Sequence, residues 1–199
     1  MTKVSTIEGN RGAILKEKIA SILSAALSYP VLALLEIIIL TDVEKATLQA
    51  FLAGFILHAF IPFAGPLLYF LKKKGDIFVS KREDRAPLFV PGLTSYLVAY
   101  LIFQNMGYRY LAALEAVSFT STFILFLISF KWKISVHMAA MAIPLVFFTL
   151  IGYPQILLFT PLLPLLGWAR IKLKAHTCSQ VIAGTFVGFA SSFITLTFI

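Results

Sequence analysis

Arg170 and His176 stand six positions apart in the stretch Ala169-Arg170-Ile171-Lys172-Leu173-Lys174-Ala175-His176-Thr177-Cys178-Ser179-Gln180, with apolar segments on both sides. Lys172 and Lys174 lie between them. Residue types at this density suit phosphate chemistry. A guanidinium presents planar, bidentate hydrogen bonds to phosphate oxygens, and lysines add point charge. A histidine beside them can attack phosphorus or move a proton. Two further segments bring related groups: Ser135 and His137 in Ile134-Ser135-Val136-His137, and Arg85 in the polar run from Lys72 to Pro87. Phosphoryl transfer asks for cations on the equatorial oxygens, a nucleophile in line and an acid opposite it. A basic turn flanking a membrane segment also accounts for the charges, so the chemistry depends on whether the chain brings the three segments together.

The elements that must do so are membrane helices. The chain has 199 residues, 59% of them hydrophobic and only 13% charged, against roughly 45–50% apolar and 25% charged in a soluble domain. That excess has to be buried in lipid. Nineteen phenylalanines and long Leu/Ile runs suit helices facing acyl chains, and the alternating segments of a barrel are missing. Apolar runs predict spans at about Ile19 to Leu40, Thr47 to Leu71, Leu88 to Gln104, Leu111 to Phe130, Ile134 to Gly152, Gln155 to Trp168 and Val181 to Ile199. The expected fold is therefore all-α, a polytopic bundle of about 6–7 transmembrane helices. A polar N-terminal arm, 1–18, precedes a single membrane domain, 19–199, and Pro30 is expected to kink the first span. Glu36 and His58 fall inside spans and are read as a helix-packed or snorkelling carboxylate and a packed histidine. Cys178, the single cysteine, makes no intramolecular disulfide and says nothing about an oxidising compartment. The formal charge of +8 needs no nucleic acid, because basic residues flanking spans explain it.

With seven crossings the arm, the loop 72–87, the loop 131–137 and the stretch 169–180 emerge on one side. That side holds every lysine and arginine except Lys45 and Arg109. The positive-inside rule places it in the cytoplasm of a multi-pass protein of the cell membrane. Arg85, the Ser135–His137 pair and the Arg170–His176 pair then share one membrane face and can converge on one pocket.

At these residues the chain resembles the type 2 phosphatidic acid phosphatase and vanadium haloperoxidase superfamily. Its members carry a lysine followed by Arg-Pro, a Pro-Ser-Gly-His, and a Ser-Arg followed after five residues by His and after three more by Asp. Ala169-Arg170, five residues, His176, three residues and Gln180 match the third motif best. Ile134-Ser135-Val136-His137 keeps the Ser and His of the second, and Arg85-Ala86-Pro87 stands for Arg-Pro. Phe78 occupies the position seven before Arg85, where the lysine would fall, so Lys81, four before Arg85, is the substitute. The resemblance implies His176 as nucleophile, through a phosphohistidine, and His137 as the general acid. It implies Arg85, Arg170, Ser135 and Lys81 on the phosphate oxygens, and Gln180 orienting the nucleophile where the family has Asp.

The acidic inventory disfavours a metal-dependent enzyme. Prenyltransferases and CDP-alcohol phosphotransferases need paired, spaced aspartates, whereas Asp76, Glu83 and Asp84 cluster in one loop. The expectation is thus a lipid phosphatase needing neither metal nor other cofactor. Its substrate is a lipid or isoprenoid phosphate or diphosphate, its surroundings are membrane lipids, and the sequence leaves monomer and homodimer open. The competing readings are an inactive relative that binds phosphorylated lipid, and a small membrane transporter with polar groups near mid-membrane and broken helices.

Overall fold

A computed structural model of the chain describes residues 2–72 and 84–199, with side chains from residue 12 onward. The fold is all-helical, 85% helix with no strands among the described residues. Apolar runs give this result because lipid offers the backbone no hydrogen-bond partners, so each crossing must satisfy its own. Helix α1 (Thr2–Ala26) runs through the expected boundary at residue 18 without a break, so the polar arm and the start of the first span are one helix. The interruption falls at Leu27-Ser28. Pro30 then sits in the first turn of α2 (Tyr29–Val43), where its missing N–H costs no intrahelical bond.

The second crossing, Leu48–Lys72, joins α3 (Leu48–Gly54), a π-helical turn (Phe55–Phe60) and α4 (Ile61–Lys72). A 3₁₀ turn (Ala86–Phe89) leads into α5 (Val90–Met106), which ends at Gly107 with φ +80°. Helices α6 (Arg109–Ser129) and α7 (Val136–Leu150) follow. A second 3₁₀ turn (Pro154–Phe159) precedes α8 (Leu162–Lys172), and α9 (Cys178–Phe198) closes the bundle. Six segments are long and apolar enough to cross a membrane, and α7 is shorter. At 15 residues α7 rises about 22 Å, under the ~30 Å of a bilayer core. Most of its side chains are buried against α2, α8 and α9, so protein rather than lipid sets its length.

One core cluster joins Ile37, Leu40, Phe103, Leu111, Leu114 and Phe147. A second joins Leu32, Met138, Met141, Leu166 and Val181. Leu101, Phe123, Leu127, Phe186 and Phe193 point outward, as a lipid-facing surface requires.

The turns sort to two ends. At one, Glu44 accepts hydrogen bonds from the backbone N–H groups of Tyr110 (2.8 Å) and Leu111 (2.9 Å), and Tyr108 Oη accepts from Thr47 N (3.1 Å). At the other, Arg85 reaches the Ile134 carbonyl, Ser135 N donates to the Gln180 carbonyl (3.3 Å), and Arg170 reaches Ser24. The second end carries the three motifs.

Candidate functional site

The end of α8 explains the spacing in its motif. The helix stops at Lys172, and Lys174 takes a left-handed conformation with φ +53°. Ala175 N (3.1 Å) and His176 N (3.3 Å) then both donate to the carbonyl of Arg170. That closure folds the chain back by one turn and sets His176 beside the arginine. Arg170 lies in the last turn of α8, where the helix dipole favours a cation. It is 3% exposed, and its Nη1 donates to Ser24 Oγ of α1 at 2.6 Å.

His137 comes from the first turn of α7 and Arg85 from the start of the Ala86–Phe89 turn. Among the described residues Arg85 Nη2 donates to the Ile134 carbonyl at 3.4 Å and Nη1 has no hydrogen-bond partner, although the side chain is buried. Arg85, His137, Arg170 and His176 all line one cavity of about 660 Å³. The rest of its lining is mostly apolar, including Phe63, Leu67, Phe70, Phe89, Leu125 and Ile143.

Hydrogen bonding fixes which nitrogen of His176 is basic. Gln180 Oε1 lies 3.2 Å from His176 Nδ1 and also accepts from Thr177 N at 3.2 Å. A backbone N–H can only donate, so this Gln180 atom is the oxygen and His176 Nδ1 must carry its proton. Nε2 is then the unprotonated nitrogen. The Gln180 side chain is itself held by a capping box, in which Thr177 Oγ1 accepts from Gln180 N.

The electrostatics are one-sided. Burial first, then the neighbouring Arg170 and Arg85, push the pKa of His176 down to about 3. Burial also lowers that of Arg85. Positive charges gathered in a partly dry site raise one another's cost, and an anion arriving among them relieves it.

One expected site residue lies away from the cavity and another falls outside the described residues. Ser135 is fully buried and does not line the cavity, its Oγ has no hydrogen-bond partner among the described residues, and its backbone joins α7 to α9 instead. Lys81 lies outside the described residues. Lys172 and Lys174 do not line the cavity.

Sequence reading missed a second polar cluster. His58 has two carboxylate neighbours rather than apolar packing alone, Glu36 Oε2 at 3.2 Å and Glu115 Oε1 at 3.1 Å. Glu36 is 6% exposed and does not snorkel. Glu115 could have been found by the rule that any ionisable residue within a span is a candidate. Comparison with models of known protein families, with characterised proteins and with solved structures returns no match.

Proposed function

We propose that the protein is an integral membrane phosphatase acting on a lipid or isoprenoid phosphate or diphosphate. The observation that carries this reading is the convergence of Arg85, His137, Arg170 and His176, from three distant segments, on one cavity. The arginines hold the equatorial oxygens of the phosphoryl group and offset the charge that spreads over them. Nε2 of His176 attacks phosphorus, and the P–O bond to the leaving group breaks as His137, which the bound phosphate anion favours in its protonated form, delivers that proton to the leaving oxygen. Water, losing a proton to His137, then cleaves the phosphohistidine and releases phosphate. The apolar part of the cavity lining receives a hydrocarbon tail, which favours a lipid over a free phosphate ester. The basic end is read as cytoplasmic from its lysines and arginines.

The test is phosphate release from a panel of phosphatidic acid, phosphorylated polyprenols and their diphosphates, in EDTA. Turnover is expected on at least one member, abolished in His176→Ala, strongly reduced in Arg170→Ala, and inhibited by vanadate. Full activity in His176→Ala overturns the assignment. A second reading, a transporter, draws on the ionisable cluster around His58, which sits on a π-helical turn inside the second crossing, since such turns recur at functional sites. Flux into liposomes without phosphate release would favour it.

A further inference from the structure

Three ionisable side chains meet within the membrane-crossing part of the bundle, and phosphoryl transfer uses none of them. Glu36 comes from α2, His58 from the Phe55–Phe60 turn and Glu115 from α6. His58 Nε2 is hydrogen bonded to Glu36 Oε2. Its Nδ1 lies 3.1 Å from Glu115 Oε1, and among the described residues no other group is hydrogen bonded to Glu115, which is 0% exposed. Two buried carboxyl groups that share one imidazole are costly to keep charged together, and a mobile proton is the smallest ligand that removes the cost.

The site is not sealed from the cavity. Glu36 lines it together with Tyr29 and Tyr96. Tyr96 Oη donates to Tyr29 Oη at 2.6 Å, and Tyr29 Oη donates to the His58 carbonyl. These two phenols are the other titratable groups facing the cluster from α2 and α5. α6 adds the hydroxyls of Ser118, Ser121 and Thr122 to the cavity wall, and α3 has no ionisable residue. His137, the one ionisable residue of α7, belongs to the basic end with Arg85, Arg170 and His176. Ser24, bonded to Arg170, and Glu36 lie on different helices, α1 and α2, on either side of the break at Leu27-Ser28.

Charge counting says what the cluster can hold. Two carboxyl groups and an imidazole are neutral together when two of the three sites carry their acid proton, whichever two these are. Losing one proton leaves a net negative charge in the membrane, and gaining one leaves a positive charge. The ring nitrogens face different carboxylates, so the three groups do not converge on one metal ion, and no such group of three does among the described residues.

We propose that Glu36, His58 and Glu115 form a proton-exchanging site at the deep end of the cavity, which takes up one further proton from cavity water when an anion occupies the basic end. At an effective dielectric of about 20, each unit of anionic charge about 10–20 Å away raises the proton affinity about 4–17-fold. Protonation tightens the anion by the same factor. The coupling rests on the phosphate reading of the basic end, and the proton site does not.

The experiment is infrared difference spectroscopy on the purified full chain in lipid, stepped between about pH 5 and about pH 9, with and without vanadate. A protonated-carboxyl band should titrate in the wild type and be lost or shifted in Glu115→Gln and in Glu36→Gln. Vanadate should move its midpoint to higher pH, to a proton concentration about 4–17-fold lower, and His176→Ala should abolish that movement while keeping the band. A wild type without a titrating carboxyl band overturns the proton site, as does a band unchanged in both glutamine variants. A fixed midpoint with vanadate bound, followed by vanadium NMR, overturns the coupling. Absence of vanadate binding counts against the phosphatase reading and the coupling, and the band still decides the proton site.

Discussion

The nitrogen that can attack phosphorus is chosen by a side chain four residues further on. Gln180 accepts from Nδ1 of His176 and so leaves Nε2 with its lone pair. A carboxamide fixes the ring but cannot stabilise an imidazolium electrostatically as a carboxylate does. Gln180→Ala should therefore lower phosphate release about 10–100-fold, and Gln180→Asp should raise it above the wild type. Equal rates in all three proteins would remove Gln180 from the site. The depressed pKa of His176 also has a consequence for stability. The imidazole is neutral in the folded protein down to about pH 3, whereas the unfolded chain takes up that proton near pH 6.5. In this interval the unfolded state binds more protons, so the His176 contribution to stability is complete above about pH 6.5 and is lost as pH falls toward 3. Thermal unfolding in detergent should show a shallower acid decline for His176→Gln than for the wild type.

Helices α7 and α9 set the distance between the second and third motifs, and two glycines set the distance between the helices. A Cβ on Gly184 would lie 2.3 Å from the Ser135 carbonyl oxygen, and one on Gly188 would lie 2.5 Å from that of Ala139 and 2.8 Å from Ala142 Cβ. Glycines four apart on one face, against alanines opposite, allow the close backbone approach typical of small-residue packing in membranes. Gly184→Leu has no flexible neighbour to displace, because the obstacle is backbone. It should cost about 1–3 kcal/mol and separate His137 from His176. Activity should fall further than a stability-matched change on the lipid face, such as Phe193→Ala. At the end of α8, Lys174 pays for its left-handed backbone with φ +53°. Lys174→Gly should raise the unfolding midpoint, by up to about 1 kcal/mol in stability.

The membrane architecture was legible because long apolar runs leave helices as the available answer, and the cavity's basic end was legible because its residues border spans on one side. The closing turn that sets His176 over Arg170 was legible only as a spacing, since it depends on a left-handed lysine that no residue preference announces. The cluster around His58 was not legible. Its partners lie 22 residues upstream and 57 downstream, on two other helices, and each looks alone in its own apolar run. Ser135 lies off the cavity for a related reason: a serine two residues before a histidine faces the α7–α9 contact when the helix starts between them. The same all-or-none sorting of turns makes the orientation testable. Lys72 belongs with the motif end, and Lys45 and Arg109 with the other. In a Cys178→Ser background, Lys72→Cys should be protected from a membrane-impermeant thiol reagent in intact cells and labelled after permeabilisation, while Lys45→Cys and Arg109→Cys label from outside. The opposite pattern would place the basic end, and the phosphate it is proposed to bind, on the outer face. It would also mean that the lysines and arginines are gathered for ligand binding rather than for topology.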